Sequence, residues 1–402
     1  MKQREHGVPP PAVHPAAQLD DDRRARAQRQ LLLPGFDEVA QRRLANAKVL
    51  VIGAGGLGSA SVPYLVGSGV GAIGLVDDDV VELSNLHRQV AHTTANLGVA
   101  KTESLAQAAT ALDPGVKIIE HRVRLDSTNA LEIFADYDLV IDGSDNFPTR
   151  YLANDAAQLS NIPLVWGAIL ATHGQVGLAW HAYGPGYRDL FPDPPNPGEV
   201  PSCAAGGVLP GLCGTVGSLL ATEALKVITG LGDLLLGRVL VYDALAARTR
   251  EIPYAKDPGG QQVTELIDYE LFCRGSDPEP EGLPAAELAA QLRAGHTPWL
   301  LDVRTPAERL EHRIRGAHAL ELDDLQEAID QDRALPELEV AGEVTIYCAR
   351  QPRSIRAAQL VAGRGLRARY VIGGIFAFEE QAPEYIESGP LVDARDQENL
   401  NL

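Results

Sequence analysis

The sequence predicts an α/β protein with a doubly wound, mostly parallel sheet, followed by a smaller second α/β domain. Short apolar runs typical of buried strands alternate with helical stretches, which favours parallel strands joined by helices. The run KVLVIG at 48–53 is continuously apolar and ends in glycine, as in a strand covered on both faces. The acidic, proline-rich segment RGSDPEPEGLP at 274–284 lacks apolar periodicity and is typical of a linker.

The elements of the first domain follow in chain order. A helical pattern over 25–47, interrupted by the turn LPGF, precedes the strand KVLVIG, and a helix of small residues at 58–68 follows it. AIGLVD is the second strand, and the next helix is predicted at 101–112. The remaining predicted elements are the strands VKIIE, DLVIDG and PLVWGAI, a helix at 149–159, the later strands GQVGLAWHAY and GRVLVYDALAARTREI, and an apolar helix at about 208–229.

Composition sets the limits of the domains. Residues 1–22 are rich in Pro, Ala and Asp and are predicted to be a disordered tail. The first domain is placed at 23–272, the linker at 273–283, and the second domain at 284–390, with strands at PWLLDV, EVTIYC and RYVIGG. The polar residues 391–402 are predicted to be a second tail.

The overall charge and the cysteines exclude several classes of protein. The chain has 402 residues and a net charge of -19, which disfavours binding to nucleic acid or to an anionic membrane. The N-terminus has no apolar run like that of a signal peptide, and no stretch reaches about 18 uninterrupted apolar residues. The four cysteines form no C-x-x-C pair, which argues against a disulfide framework and a cysteine-only zinc site. We therefore expect a cytoplasmic protein with reduced thiols.

A glycine-rich turn follows the first strand. Gly53, Gly55 and Gly58 form the pattern G-x-G-x-x-G between a strand and a helix, where backbone N–H groups can bind phosphate. Asp77 ends the second strand, where a carboxylate can accept hydrogen bonds from ribose hydroxyls. A dehydrogenase and an ATP-dependent enzyme both use this arrangement, and a merely structural turn is a further alternative.

The residues after the second and fourth strands favour ATP. Arg88 and Lys101 supply the positive charge that a triphosphate needs, whereas backbone amides suffice for a dinucleotide. Asp145 and Asn146 follow the fourth strand, at the edge where doubly wound sheets bind ligands. Asp145 is a candidate Mg²⁺ ligand there. The alternative is that both cations are solvated and that Asp145 caps the next helix.

The combined motifs GAGGLGS, D-x-D-x-V-x-x-S-N-L-x-R-Q and SDN resemble those of the adenylyltransferases that activate ubiquitin-like proteins, above all the MoeB and ThiF types, over about 26–270. The resemblance implies that the chain uses ATP and Mg²⁺ to adenylate the C-terminal glycine of a small ubiquitin-fold protein. The implied nucleotide contacts are Gly53, Gly55, Gly56, Gly58, Asp77, Asp79, Ser84, Asn85, Leu86, His87, Arg88, Gln89, Lys101, Asp145 and Asn146, with Asp145 also the Mg²⁺ ligand.

The segment RAQRQ at 26–30 resembles the R-Y-x-R-Q segment of the same family. The resemblance implies that Arg29 crosses a homodimer interface to the γ-phosphate held by the partner. Ala27 stands where the family has an aromatic residue. The alternative is an arginine-rich helix surface that is merely solvated.

Many relatives in this family hold a zinc ion with two C-x-x-C pairs, and this chain lacks both pairs. Gly186 and Asp189 stand at the positions of the first pair, so we expect no structural zinc. Cys203 matches the cysteine of the family's crossover loop, and its place before a helix favours the thiolate. The alternative is a half-buried thiol that packs as a small apolar group. Cys213 and Cys273 are predicted to be core residues.

A second candidate site lies in EVTIYCARQPRSIR, where C-x-x-x-x-R joins a strand to a helix. The turn amides, the helix start and Arg353 favour a thiolate at Cys348. This turn is one residue shorter than that of cysteine phosphatases, which suits a sulfane sulfur. With WLLDVRTPAERLEHRIRGAHALEL and VIGGIFAF, it resembles rhodanese domains over about 284–388. Gln351 replaces a frequent glycine and Pro352 removes an amide, so a catalytically silent domain is the alternative.

The order of the two domains is similar to that of MoeZ-type adenylyltransferase/sulfurtransferases. This implies that a Cys348 persulfide attacks the adenylated glycine and that Cys203 then releases a thiocarboxylate, for molybdopterin or another sulfur-containing product. The implied partners are a sulfur-carrier protein ending in Gly-Gly and a sulfur donor, either a cysteine desulfurase or thiosulfate. An NAD-dependent oxidoreductase and a non-catalytic binding scaffold remain alternatives.

Overall fold

The chain divides into two compact units, residues 1–273 and 274–402. The computed structural model describes residues 9–195, 207–260, 262–274, 280–331, 333 and 335–389. Each unit is described separately below.

The first unit alternates strands and helices. Its helices are α1 Asp21–Arg26, α2 Glu38–Asn46, α3 Gly56–Gly67, α4 Lys101–Leu112, α5 Ala130–Phe134, α6 Phe147–Ser160, α7 Pro210–Thr229 and α8 Tyr269–Arg274. Its strands are β1 Lys48–Ile52, β2 Ala72–Val76, β3 Lys117–His121, β4 Leu139–Asp142, β5 Leu164–Leu170, β6 His173–Ala179, β7 Arg238–Asp243 and β8 Arg248–Pro253.

The strands form one eight-stranded sheet in the order β3-β2-β1-β4-β5-β6-β7-β8. The pairs from β3 to β5 are parallel, and the pairs from β5 to β8 are antiparallel. Alternate residues of β1 enter two different hydrophobic cores, Val49 on one face and Leu50 on the other. Both faces are therefore covered, which explains the continuous apolar runs. The predicted doubly wound, mostly parallel sheet is confirmed, and GRVLVYDALAARTREI forms two of its strands rather than one.

The long apolar helix α7 belongs to the core of this unit. By length and composition alone it could cross a membrane, but 56% of its most apolar window is buried inside the fold. It crosses α3 so closely that a Cβ on Gly217 would lie 2.9 Å from Leu57 O. The apolar character of α7 is thus explained by packing on α3 and the sheet.

The start of the chain corrects one prediction. Residues 1–22 were predicted to be disordered, yet Val13 is 4% exposed and belongs to the core. Ala12 N donates to Val227 O over 3.0 Å, and Asp20 caps α1 through Arg23 N. A chain without periodicity can still lie along a folded surface when a few side chains anchor it. The prediction is therefore wrong for residues 9–22, and residues 1–8 lie outside the described part.

The second unit is also α/β. Its helices are α9 Ala285–Arg293, α10 Pro306–Glu311, α11 Leu322–Asp330, α12 Pro336–Ala341, α13 Pro352–Gly363 and α14 Gly374–Gln381. Its strands are β9 Glu281–Pro284, β10 Leu300–Asp302, β11 Arg313–Ile314, β12 His318–Ala319, β13 Glu343–Tyr347, β14 Arg367–Ile372 and β15 Ile386–Glu387. A five-stranded parallel sheet has the order β12-β10-β13-β14-β9, and β11 pairs with β15.

Strand β9 corrects the predicted linker, which extended to residue 283. This edge strand pairs with β14 through its backbone and buries only Leu283, so no apolar pattern announced it. Residues 275–279, within the predicted linker, and the predicted tail 391–402 lie outside the described part.

Candidate functional site

The glycine-rich turn joins β1 to α3 at the carboxyl edge of the first sheet. Gly53 has a φ of +87°, which favours glycine. A Cβ on Gly58 would lie 2.0 Å from Gly53 O, so no side chain fits at this position. The turn thus brings the first N–H groups of α3 to the sheet edge without side chains in front of them, which is the arrangement that binds phosphate.

Two side chains hold the turn from below, one of them not foreseen from the sequence. Asp77 Oδ2 accepts from Ala54 N over 2.8 Å, and burial raises the pKa of this carboxyl. His92 is buried, and its Nε2 lies 2.9 Å from Ala54 O, to which it must donate because a carbonyl only accepts. Its Nδ1 therefore accepts from Ser104 Oγ over 2.8 Å. His92 thus ties the turn to α4, the helix that begins at Lys101.

A cavity of about 310 Å³ opens in front of the turn, where β1, β2 and β4 end. Five residues predicted to bind nucleotide line it: Gly53, Asp77, Asp79, Asp145 and Asn146. The sequence did not single out its other walls, which are Ile52, Val76, Asp78, Val123, Arg124, Leu125, Ser144 and Thr149. The Val123–Leu125 wall carried no motif, and only its position after β3 could have indicated it.

Asp145 and Asn146 have different roles in the structure. Asn146 Oδ1 accepts from Thr149 N over 2.9 Å and is the N-cap of α6. Asp145 is exposed at the cavity wall. The alternative proposed for Asp145, a helix cap, is therefore wrong, because its neighbour caps the helix.

The two predicted phosphate-binding cations are both engaged by the protein. Lys101 is almost buried, and its Nζ lies 2.6 Å from Asp79 Oδ2. Arg88 Nη1 donates to Ser84 O over 3.2 Å, so its guanidinium folds back on its own loop. Neither cation lines the described cavity. Lys101 is joined to the cavity wall through Asp79, whereas Arg88 is not.

The loop between β2 and α4 holds the remaining predicted contacts. Asn85 is buried and closes a capping box with Glu82. Gln89 is 3% exposed and lies under the turn, where its Nε2 would be 3.4 Å from a Cβ on Gly55. Its Oε1 has no hydrogen-bond partner among the described residues. His87 Nδ1 lies 2.9 Å from Ser84 O, which places this side chain on the loop surface. Two further contacts implied by the resemblance lie beside these residues, namely Gly56 and Leu86.

A second, larger cavity of about 770 Å³ adjoins the first. The two share Asp145 and Asn146. The walls of the larger cavity are mostly apolar or aromatic and include Phe147, Pro148, Tyr151, Ala168, Ile169, Leu170, Tyr187 and Phe191. A polar end at the sheet edge thus continues into an apolar channel.

Arg29 lies away from both cavities of its own chain. It is exposed and does not line either of them. The helix before it is anchored by Arg26, whose Nη1 donates to Leu112 O over 3.1 Å. Leu112 ends α4, about 18 Å from the Lys101 end of this twelve-residue helix. The anchor therefore lies at the end of α4 opposite to the site.

The region where no structural zinc was expected is held by a carboxylate. Asp189 Oδ2 accepts from Gly186 N over 2.7 Å, and its Oδ1 accepts from Asp257 N over 2.8 Å. One side chain thereby joins the two segments that carry the cysteine pairs in zinc-containing relatives. Cys203, the candidate second thiol, lies outside the described residues.

The other two cysteines of the first unit pack as predicted. Cys213 is buried in α7 beside the glycine turn, where its Sγ would lie 2.8 Å from a Cβ on Gly56. Cys273 is half-buried, and burial raises the pKa of its thiol to about 12. This raised pKa disfavours a reactive thiolate at Cys273.

In the second unit, Cys348 follows β13 and is 1% exposed. Its thiol donates to Ser354 Oγ over 3.6 Å, and Ser354 Oγ donates to Gln351 O over 2.9 Å. Gly374, with a φ of +64°, lets α14 pass beside the turn, because its Cβ would lie 2.5 Å from Cys348 O. The predicted cysteine turn between strand and helix is therefore present.

The two departures in this turn are accommodated. Gln351 has a φ of -161°, which is extended backbone that needs no glycine, and its Oε1 accepts from Gly373 N over 3.4 Å. Pro352 is the first residue of α13, where a helix makes no use of the missing N–H. The backbone therefore folds around Cys348 as in an uninterrupted turn.

Arg353 is not directed at Cys348 alone. Its guanidinium forms two hydrogen bonds with Glu308, Nη1 to Oε2 over 2.9 Å and Nη2 to Oε1 over 2.5 Å. These bonds lower the pKa of Glu308 to about 2. Nearby, the buried pair of Asp302 and Arg304 is joined at 2.6 Å.

Comparison with known proteins gives two family matches. Residues 27–262 match the ThiF family, and residues 284–381 match the rhodanese-like domain. A probable adenylyltransferase/sulfurtransferase MoeZ from Mycobacterium tuberculosis is 43% identical and covers 92% of this chain and 97% of its own length. A sulfur carrier protein adenylyltransferase from Thermus thermophilus is 51% identical over 62% of this chain and 96% of its own length. An adenylyltransferase and sulfurtransferase MOCS3-2 from Zea mays is 39% identical over 90% of this chain and 80% of its own length.

Among solved structures, MccB of E. coli with ATP has a TM-score of 0.53 and 20% identity, and covers 61% of this chain and 75% of that chain. At this identity the likeness shows the fold alone. The sequence relatives confirm both motif resemblances and favour an adenylyltransferase over an NAD-dependent oxidoreductase.

Proposed function

We propose a two-step function from one premise: this chain belongs to the ThiF family and carries a rhodanese-like domain after it. It uses ATP to adenylate the C-terminal glycine of a small ubiquitin-like sulfur-carrier protein, and then transfers sulfur from a Cys348 persulfide to give a thiocarboxylate. The observation that carries the first step is the cavity that collects the glycine turn, Asp77 and Asp145 at the sheet edge. The observation that carries the second is the buried cysteine turn at Cys348.

In the first step, a carboxylate oxygen of the carrier attacks the α-phosphorus of ATP, and pyrophosphate leaves in line. The protein supplies position and charge rather than a covalent group. The N–H groups of the glycine turn bind phosphate. Each carboxylate oxygen of Asp77 already accepts one backbone hydrogen bond, from Ala54 N or from Asp79 N, and its remaining lone pair accepts from a ribose hydroxyl. Lys101, which is paired with Asp79 of the cavity wall, is the proposed phosphate ligand.

The residues at the cavity fit a magnesium ion as well as a nucleotide. The carboxylates of Asp77, Asp78 and Asp79 lie within 4.8 Å of one another, and Asp145 stands on the same cavity wall. Oxygen ligands of this kind suit Mg²⁺. Asp145 is the proposed ligand, and Mg²⁺ held there would neutralise and orient the triphosphate.

The apolar cavity is the proposed channel for the tail of the carrier. It reaches Asp145 and Asn146, where the terminal carboxylate must meet ATP. A Gly-Gly end has no side chains and fits the polar end at these two residues, while apolar residues before it fill the apolar part of the cavity. The partner is therefore a protein with an extended C-terminal tail.

In the second step, the terminal sulfur of the Cys348 persulfide attacks the adenylated carbonyl carbon and expels AMP. The product is an acyl persulfide. A second thiol, proposed to be Cys203, attacks the Cys348 sulfur and releases the thiocarboxylate, leaving a disulfide that an external thiol reduces. Sulfur comes from a persulfide donor such as a cysteine desulfurase, or from thiosulfate. Because the cycle needs reduced thiols, we place it in the cytoplasm.

Arg29 is proposed to act in the site of a second copy in a homodimer, because its anchor lies at the far end of α4 from its own site. Arg29→Ala and Asp145→Ala proteins should each lose pyrophosphate exchange. If the pair acts across a dimer, mixing them should restore about a quarter of the activity, since half of random dimers are mixed and each has one intact site. No recovery after subunit exchange would contradict a trans role.

The proposed function is tested with the carrier candidates that end in Gly-Gly. Cys348→Ala should retain ATP–pyrophosphate exchange and lose thiocarboxylate, measured as the mass gain of the carrier. Asp145→Ala should lower exchange by about 100-fold or more. If the protein releases neither pyrophosphate nor AMP with any of the carriers, adenylation is contradicted. Full sulfur transfer by Cys348→Ala would contradict the second step.

A further inference from the structure

The second site contains a carboxylate that the proposed reaction does not use. Glu308 lies in α10 and forms a two-pronged ion pair with Arg353, at 2.9 Å and 2.5 Å. Such paired hydrogen bonds fix the plane of a guanidinium more firmly than a single contact. Arg353 is only about one-third exposed, as is Glu308.

Glu308 is itself fixed from its own helix. Thr305 N donates to Glu308 Oε2 over 3.0 Å, and Thr305 Oγ1 donates to the same oxygen over 2.9 Å. The first of these bonds, together with Glu308 N donating to Thr305 Oγ1 over 3.4 Å, forms the capping box at the start of α10. The guanidinium of Arg353 is thus held by a carboxylate that the start of α10 keeps in place.

The charges around Cys348 nearly cancel. Arg353 interacts electrostatically with Cys348, Glu308 and Asp302. Asp302 is in turn paired with Arg304 at 2.6 Å. Arg350 is exposed, with its guanidinium 5.9 Å from the centre of the Phe376 ring. The positive charge that Arg353 presents to Cys348 is therefore largely offset by Glu308.

We propose that Glu308 is a positioning residue that holds Arg353 beside Cys348 and cancels much of its charge, so that the cysteine discriminates against reagents bringing a negative charge to its sulfur. The alternative is that Glu308 serves only as the cap of α10. Gln preserves a capping box. Glu308→Gln therefore removes the charge and keeps the cap.

The test compares two alkylating reagents of nearly equal size, neutral iodoacetamide and anionic iodoacetate, on the full-length protein. In both reactions the Cys348 sulfur displaces iodide, and peptide mass spectrometry separates Cys348 from the other cysteines. The burial of the sulfur is the same in the wild type and the variant, so the change in the ratio of the two rates isolates charge. Glu308→Gln should raise the ratio of iodoacetate to iodoacetamide by about 3- to 10-fold. Glu311→Gln removes the same charge from an exposed position of α10 and should leave the ratio unchanged.

An unchanged ratio in Glu308→Gln, or an equal change in Glu311→Gln, would overturn the proposal. The inference about Glu308 rests on the proposed function only for the role of Cys348. Because alkylation needs neither ATP nor a carrier, the inference and the proposed function can fail separately.

Discussion

His92 is the residue on which the shape of the glycine turn depends most directly. It donates to Ala54 O and accepts from Ser104 Oγ, both in the buried region under the turn. His92→Ala leaves a carbonyl and a hydroxyl without these partners, and each unsatisfied buried group costs about 1–3 kcal/mol. We therefore expect the first domain to lose about 2–4 kcal/mol of its free energy of unfolding. Ser104→Ala removes one of the two bonds and should cost about half as much.

The assay is denaturant unfolding followed by tryptophan fluorescence. The first unit contains Trp166 and Trp180, and the second contains Trp299. A Trp299→Phe background therefore reports the first domain alone. In His92→Ala the glycine turn is also held less firmly, which should raise the KM for ATP in pyrophosphate exchange by about tenfold. This corresponds to about 1.4 kcal/mol of binding free energy. If His92→Ala unfolds at the wild-type midpoint and keeps its KM, the turn does not depend on His92 and the reasoning is refuted.

Three further predictions follow from contacts of the same domain. Burial holds the pKa of His92 below its ordinary 6.5, so the unfolded chain takes up the proton first. The stability contributed by neutral His92 is therefore complete above about pH 6.5 and is lost as the pH falls below that value. The difference in free energy of unfolding between the wild type and His92→Gln should shrink between pH 7.5 and 5.5. A constant difference would contradict this. Asp189→Ala breaks two hydrogen bonds to backbone amides and should cost about 2–3 kcal/mol in the same unfolding assay, whereas a zinc chelator should not move the wild-type midpoint. Gly58→Ala should abolish ATP binding measured by calorimetry, because the added Cβ would lie 2.0 Å from Gly53 O; near-normal binding would contradict the tight turn.

The parts of the fold that could be predicted are those with a local signal. The runs KVLVIG and AIGLVD appear as buried parallel strands, and G-x-G-x-x-G marks the turn between β1 and α3. Strand β9 could not be predicted, because an edge strand that buries only Leu283 needs hydrogen bonds to β14 and no apolar pattern. Val13 likewise becomes a core residue only through its contact with the folded domain.

The candidate site divides in the same way. Asp77 and Asp145 were predictable because each follows a strand that ends at the same edge of the sheet. His92 was not, since its two partners lie 38 and 12 residues away in the chain and no motif links them. Glu308 and Arg353 are separated by 45 residues and show the same limit. A sequence pattern identifies the groups that meet a ligand, whereas the side chains that hold those groups come from tertiary contacts.

In each site, a cation that the sequence predicts to face an anion is paired with a carboxylate of the protein. Lys101 has a side chain only 9% exposed, and an unpaired ammonium at that depth would cost several kcal/mol, a cost that the ion pair with Asp79 offsets. Arg353 is paired with Glu308 in the same manner. In the proposed function, a triphosphate meets the turn amides and Lys101 together, so its combined contacts compete with Asp79 for the ammonium. The pairing thus favours a ligand that satisfies several groups at once over a single anion.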